Sequence, residues 1–381
     1  MSTTHRDAAE IVTGDIDRAP ACEAALRSVV EYLCSEACLP RLPGTRGGLA
    51  ARRFVEDAFA DLGLVPAGEE GYLQPIPAIG GANVVGMVPG LPPERSIVFG
   101  AHFDACVIDG GVNPGASDNA ASVAVMLEVA KAVIAEPRLQ RSVVFIGFDG
   151  EEPPYFQTPM MGSRHFVANP TIDLDGVDLM ICLDMVGHAI GHGQPPEVAD
   201  TMIVFGAEKT PQVSAALAAV PVVEGMHVRR LDIDIIDQMS DYSGFQDAGI
   251  PFLFYNTLRN EHYHRPTDTP DTLDYSKMAA LVTHLVALIE QVSKAPPEPF
   301  IYDAVARHEA ATLHTLRALF PTLPAVSRIT ARAPKLLDDL AARAAAGLTE
   351  SEWQLVRRIS LAIEDGLQRV GPEEGHGDRH G

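Results

Sequence analysis

Acidic and imidazole side chains follow several of the apolar runs in this chain. The adjacent glutamates Glu151 and Glu152, for example, come just after the apolar run at residues 143–148. Carboxylate and imidazole groups are suitable ligands for zinc and similar divalent metals, and two such metals held together promote hydrolysis. The sequence therefore predicts a two-metal hydrolytic site, for which the candidate residues are His102, Asp104, Asp118, Glu151, Glu152, Asp184 and His264.

Each candidate also has an ordinary structural interpretation. Asp118 taken alone is typical of a helix N-cap, a Glu-Glu pair is usually solvated surface, and His264 is compatible with an exposed loop. A metal site is favoured because several predicted strands, one after another along the chain, are each followed by imidazole or carboxylate groups. The set contains no thiolate, which favours a catalytic metal site over a structural one.

The segments that must position these residues alternate between two patterns. Short β-branched runs interleaved with amphipathic segments predict a three-layer α/β/α fold, in which helices flank a mixed, largely parallel twisted sheet. Ligands of such sheets bind beyond the carboxyl ends of the strands, where the candidate residues fall. The predicted strands are 83–88, 96–100, 142–148, 179–184, 202–205 and 250–254, and the main predicted helices are 20–36, 48–62, 121–135 and 275–292.

Around these residues the sequence resembles the zinc-dependent aminopeptidases with two co-catalytic metals, whose superfamily also contains glutamate carboxypeptidases and glutaminyl cyclases. The resemblance implies two Zn²⁺ ions bridged by Asp118, although cobalt and manganese also suit such ligands. It further implies that His102 and Asp184 complete one metal site, that Glu152 and His264 complete the other, and that Glu151 is the general base. The matching stretches are residues 102–104, 115–122, 149–152, 183–187, 240–242 and 263–269.

Three further residues are assigned supporting roles. Asp104 lies two residues after His102, so on an extended chain it faces the same side and would orient the imidazole; a simple turn aspartate is equally compatible. Asp241 resembles a family position that supports the ligands. Tyr263 resembles a tyrosine that donates a hydrogen bond to the developing oxyanion, with plain packing beside the metals as the alternative.

Three other histidines are not expected to bind metal. His188 and His192 lie in a glycine-rich segment that predicts a loop, and five ligands already fill a two-metal site. His262 competes with His264 for the last ligand position, because both would face one way on an extended segment. The turn that follows, at residues 266–269, resembles the family's and favours His264.

The preferred functional prediction is an aminopeptidase that removes N-terminal residues from peptides. Residues 153–161 form a longer link than is usual in the family, and they predict either a substrate-pocket wall or a surface loop. A longer link also resembles glutaminyl cyclases, which cyclise an N-terminal glutamine with one zinc, so a cyclase is the alternative. A catalytically inactive binding scaffold is disfavoured, because the five ligands and the base are all present.

Composition limits the partners and the location. With 51 acidic and 29 basic residues the formal net charge is -22, which disfavours nucleic acid and anionic membrane as partners. The five cysteines are not in paired short spacings, which is typical of a reducing compartment. Neither an export signal nor an apolar stretch of roughly 20 residues is visible, so the sequence predicts a cytoplasmic protein.

The pattern changes to alanine- and leucine-rich helical sequence after residue 295. The predicted division is a catalytic domain at 1–295, a helical extension at 296–370 and a disordered tail at 371–381. Residues 349–352 form a capping box, and Trp353, Val356, Ile363 and Leu367 follow as an apolar stripe. The extension is compatible with a lid, with homo-oligomer formation or with simple stabilisation.

Overall fold

The computed structural model describes residues 19–91, 94–108, 111–135, 139–190, 194–319 and 328–369. The helices there are α1 (Ala19–Leu33), α2 (Arg46–Leu62), α3 (Ala121–Ala135), α4 (Gly162–Ala168), α5 (Pro196–Ala199), α6 (Pro211–Ala219), α7 (Tyr242–Asp247), α8 (Tyr275–Ser293), α9 (Glu309–Leu319), α10 (Arg328–Ala341) and α11 (Glu350–Arg369). The strands are β1 (Val65–Pro66), β2 (Leu73–Ile76), β3 (Gly81–Val88), β4 (Ser96–His102), β5 (Val107–Ile108), β6 (Gly111–Val112), β7 (Ser142–Phe148), β8 (Val177–Leu183), β9 (Thr201–Phe205), β10 (His227–Leu231) and β11 (Phe252–Asn256).

One large twisted sheet runs through the molecule in the order β1-β3-β7-β4-β8-β11-β9-β10, with β2 also paired to β3. The four central strands β7, β4, β8 and β11 are mutually parallel. Strands β3 and β9 run antiparallel to their central neighbours. The predicted mixed, largely parallel sheet is therefore confirmed, and the carboxyl ends of its central strands share one edge.

Helices cover both faces of the sheet, as side-chain alternation along the strands requires. Along β4, Ile97 and Phe99 belong to the core shared with α1, α2, α3, α6 and α8, whereas Val98 belongs to the core on the opposite face. That second core is shared with α4, α7 and the C-terminal helices α9, α10 and α11. The three-layer prediction is confirmed, with both faces of the sheet buried.

The C-terminal helices pack directly on the sheet layer. The predicted capping box is present: the Thr349 N–H donates to Glu352 Oε2 at 2.8 Å, and the Glu352 N–H donates to Thr349 Oγ1 at 3.4 Å. The predicted apolar stripe is buried, and its tryptophan, Trp353, is 1% exposed. The domain boundary near residue 295 stays a prediction, and the tail at 371–381 lies outside the described residues.

Two buried polar clusters hold this extension in place. Arg141 donates to the carbonyls of Val292, Ala295 and Pro296, so the C-terminal end of α8 and the segment after it are tied to β7. Farther along, Lys209 donates through Nζ to the carbonyls of residues 304 and 306.

Among the described residues, no helix is both long and apolar enough to cross a membrane.

Candidate metal centre

The first group of predicted ligands gathers where β4 and β8 end. His102 is the last residue of β4, and its Nε2 lies 3.3 Å from Asp118 Oδ1 and 3.7 Å from Asp184 Oδ1. All three side chains are buried. Burial opposes protonation of His102, but the neighbouring Glu151, Asp104 and Asp118 carboxylates raise its pKa well above the usual value.

The second group lies on the other side of Asp118. His264 Nε2 is 3.2 Å from Asp118 Oδ2 and 3.3 Å from Glu152 Oε2. Asp118 thus presents one carboxylate oxygen to each histidine, which is the arrangement that a bridging ligand needs. Although burial opposes ionisation, the contacts with His102 and His264 lower the pKa of Asp118 below its usual range.

The donor set and its buried polar atoms fit divalent metal ions. His102 Nε2 and Asp184 Oδ1 are buried, and neither makes a well-aligned hydrogen bond with another described residue. Buried polar atoms in that state call for a partner such as an ion. The two groups of predicted ligands share Asp118. Their carboxylate and imidazole side chains are ligands that zinc accepts. The residues present therefore fit a pair of metal ions bridged by Asp118.

Glu151 faces this centre without joining either set. Its Oε2 lies 3.7 Å from His102 Nε2, and the side chain is 5% exposed. Burial raises the pKa of Glu151 well above its usual value, and Glu152 and Asp184 add to the rise. A carboxylate that faces the ligands without belonging to either group is placed to act as a general base.

Asp104 connects three parts of the site. Its Oδ1 lies 3.3 Å from His102 Nδ1, the nitrogen that faces away from Asp118. Its two oxygens also accept the backbone N–H groups of Glu151 and Glu152 at 3.2 and 3.0 Å. Asp104 therefore lies close to the imidazole, while its orienting role stays a prediction, and its contacts to the glutamate pair were not predicted from the sequence.

The segment that carries Asp118 is held by residues with no role in the sequence analysis. The Asp268 carboxylate accepts the N–H groups of Ser117 and Asp118 at 2.9 and 3.1 Å. Asn119 donates to the Leu183 carbonyl at 3.0 Å, next to Asp184. Asp268 was visible only as part of a matching stretch.

Arg41 is a further residue that the sequence analysis missed. It is 1% exposed, and its guanidinium donates to the carbonyls of Leu33, Phe103, Pro114 and Gly115. It therefore links the segment between α1 and α2 to the backbone beside both His102 and Asp118. A single arginine in a loop has no periodicity or motif, so nothing local distinguished it.

The other predicted residues occupy distinct places. The Tyr263 ring is stacked on the His264 ring with centroids 3.9 Å apart. His262 instead contacts Thr267 Oγ1 at 3.0 Å and stacks on His188, so His264 is the histidine beside Asp118 and Glu152. His188 Nε2 lies 3.4 Å from Thr272 Oγ1, and His192 lies outside the described residues, so the expectation that neither binds metal stays a prediction.

Two more buried side chains border the centre. Cys106 donates its backbone N–H to Glu152 Oε1 at 2.9 Å, and its Sγ lies within 4.8 Å of the ligand atoms of Glu152 and His264. Asp241 is fully buried; burial raises its pKa to about 7, with His102 opposing the rise and Asp104 and Asp184 adding to it. Cys106 was not predicted, because it is neither in a cysteine pair nor in a metal-binding spacing.

The match to a known family decides the classification. The sequence pattern of peptidase family M28 matches residues 83–289, which is more than half of the chain and includes every residue of both groups. The chain belongs to peptidase family M28. M28 membership confirms the predicted superfamily and the coarse functional prediction, a metal-dependent peptidase or cyclase, with zinc as the implied metal.

Several known proteins are also similar to this chain. The uncharacterized protein YfbL of Escherichia coli strain K12 is 28% identical over 294 residues, covering 69% of this chain and 86% of YfbL. Glutaminyl-peptide cyclotransferase of Bos taurus is 30% identical over 178 residues, covering 39% of this chain and 49% of that protein. The crystal structure of Legionella pneumophila LapA aminopeptidase has a similar fold, with a TM-score of 0.57, 19% identity and 78% of each chain covered.

Proposed function

We propose that this protein is a two-zinc aminopeptidase that removes N-terminal residues from peptides. The observation that carries the proposal is the position of Asp118, which presents one oxygen to His102 and the other to His264. With Asp184 on one side and Glu152 on the other, both metal positions have their own ligands. When bound, two zinc ions would polarise the scissile carbonyl and lower the pKa of the attacking water.

The chain's own residues supply the remaining steps. Glu151 would take a proton from the attacking water and pass it to the departing amine, for which its place beside His102 is suited. Asp104 would keep His102 oriented through Nδ1. Tyr263 is the proposed hydrogen-bond donor to the oxyanion; its ring position against His264 is compatible with that role and with packing alone.

The test is mass spectrometry of a mixed peptide set, including peptides with N-terminal glutamine. The set is incubated with the zinc-loaded protein and with its Glu151→Gln variant, which keeps the side-chain volume but cannot act as a base. We expect stepwise loss of whole N-terminal residues by the parent alone, with turnover of the variant reduced roughly 10²–10⁴-fold. Equal activity of the variant would remove the general-base role.

A glutaminyl-peptide cyclase is the second candidate. It is favoured by the 30% identity to the bovine glutaminyl-peptide cyclotransferase, which covers 39% of this chain. Loss of ammonia from peptides with N-terminal glutamine, without shortening of the chain, would establish this activity. The aminopeptidase is preferred because the sequence around Asp118 and Asn119 and the stretch at residues 263–269 resemble the peptidases more closely.

Other sequence predictions remain proposals beside this one. These are peptide substrates, a cytoplasmic location, the absence of nucleic-acid and membrane partners, and self-association through the C-terminal helices. The link at 153–161 packs in part on neighbouring helices, since Gln157 Oε1 accepts from Arg164 Nε at 2.9 Å. Whether this link contacts substrate is tested by the residue preference of a Tyr155→Ala variant in the same peptide set.

A further inference from the structure

The segment that carries His264 is contacted by helix α11. Residues 257–267, here called the ligand loop, run from the end of β11 to Asp268. Glu364 on α11 is 5% exposed, and its Oε2 accepts the backbone N–H of Arg259 at 3.0 Å. One turn farther along α11, the Gln368 carbonyl accepts from Arg265 Nη2 at 3.1 Å. Helix α11 therefore contacts the ligand loop at residues that come before and after Tyr263, the aromatic neighbour of His264.

A row of stacked groups leads from this contact to the metal centre. The Arg259 guanidinium lies over the Tyr263 ring, 4.8 Å from its centroid. Tyr263 in turn stacks on His264 with centroids 3.9 Å apart and an interplanar angle of 18°. His264 in turn contacts the carboxylates of Asp118 and Glu152. Arg259, whose backbone N–H donates to Glu364, is thus also the first group in the stacked row that ends at His264, a proposed metal ligand.

The backbone of the ligand loop needs such support. Leu258 and His264 have φ values of 64° and 54°, a region that costs energy for residues other than glycine. Conformations of this kind persist when surrounding contacts define them. Leu258 is buried in the same apolar core as Ile363 and Leu367 of α11, so apolar packing and the Glu364 hydrogen bond act on one end of the loop together.

We propose that helix α11 is a positioning element of the metal centre, in which Glu364 holds the ligand loop so that His264 faces Asp118 and Glu152. This inference rests on the proposed metal-ligand role of His264. Helix α11 lies outside the residues 83–289 matched by the family pattern, so the family match does not cover this contact. The extension thereby acts on the site as well as on stability.

The test compares three variants of the full-length protein. Glu364→Ala removes the acceptor for the Arg259 N–H, while Glu364→Gln keeps an acceptor oxygen at the same place. Arg357→Ala is the matched control, because it breaks a contact of α11 with Asp237, away from the ligand loop. Zinc affinity is measured by chelator competition, and backbone amide exchange at residues 259–268 is measured by hydrogen–deuterium exchange with mass spectrometry.

We expect Glu364→Ala to weaken binding of one zinc ion roughly 10–100-fold and to speed amide exchange in the ligand loop. Glu364→Gln should restore both, and Arg357→Ala should change neither. Wild-type zinc affinity and exchange in Glu364→Ala, or equal losses in Arg357→Ala, would overturn the proposal. Because amide exchange is independent of catalysis, a protein that cleaves no peptide would contradict the proposed function and still leave the loop-positioning result readable.

Discussion

At the scale of single residues, Asp104 connects a candidate metal ligand to the glutamate pair. It faces His102 Nδ1 and accepts the N–H groups of both Glu151 and Glu152. We expect Asp104→Ala to lower zinc affinity roughly 10–100-fold, because such supporting carboxylates orient the ligand and raise its basicity. Chelator competition measures the change, with Asp57→Ala on α2 as the control, and unchanged zinc retention would remove the predicted role.

Cys106 offers a second test at this scale. Its Sγ lies within 4.8 Å of the ligand atoms of Glu152 and His264, so an ion bound by those atoms would restrict access of a reagent to the thiol. We expect zinc to slow alkylation of Cys106 by iodoacetamide, as read by mass spectrometry. The partly buried Cys22 on α1 serves as the internal control, since it lies in a different part of the molecule. Equal alkylation rates of Cys106 with and without zinc would contradict binding at this position.

At the scale of structural elements, Arg41 joins segments that are far apart in the chain. Its guanidinium binds the carbonyls of Leu33, Phe103, Pro114 and Gly115. We expect Arg41→Met to lower the free energy of unfolding by about 2–5 kcal/mol, because buried carbonyls lose their donors. Denaturant unfolding measures this, and the exposed Arg53→Met on α2 should have little effect. A loss no larger than that of Arg53→Met would contradict this assignment.

How well the sequence predicted each strand depends on the position of that strand in the sheet. The central strands β4, β7 and β8 are buried on both faces, so their apolar runs indicated strands clearly. Strand β10 was missed, because it lies at the sheet edge and its sequence His-Val-Arg-Arg-Leu keeps polar side chains partly exposed. The short strands β1 and β2 pair only at the β3 side, and their few residues leave no periodic signal.

At the scale of the whole molecule, a buried charged cluster joins the sheet to the C-terminal extension. Glu208 Oε1 accepts the Ile233 N–H at 2.9 Å, and Asp232 Oδ2 accepts the His308 N–H at 2.8 Å. Burial raises the pKa of Glu208 from 4.5 to about 8, and Asp232 adds to the rise. The folded state therefore binds more protons than the unfolded state between these two pH values, so stability falls as pH rises through that window.

This cluster leads to a prediction about pH. Glu208→Gln keeps the acceptor for Ile233 but cannot ionise, so its free energy of unfolding should fall less between about pH 5 and about pH 8 than that of the parent. Denaturant unfolding at several pH values measures the slope. The exposed Glu197→Gln should retain the parental slope, and an unchanged slope in Glu208→Gln would show that Glu208 does not cause the effect.

The sequence by itself determined the candidate ligands, their order and the strand ends that they follow. It did so because apolar runs mark buried strands, and because His102 and Asp184 follow those runs at the carboxyl edge of parallel strands, where ligands of such sheets bind. It also indicated the helical extension and its buried stripe, since capping and helical periodicity are local properties.

Only the tertiary structure decided which distant residues hold that centre in place. Arg41, Asp268 and Glu364 act through hydrogen bonds to backbone groups that lie as far as 74, 151 and 105 residues away, respectively. Such contacts depend on where the folded chain brings two segments together, and they impose no spacing or periodicity on the sequence around them. The candidate ligands could therefore be identified from the sequence, whereas the contacts that position them became visible only in the fold.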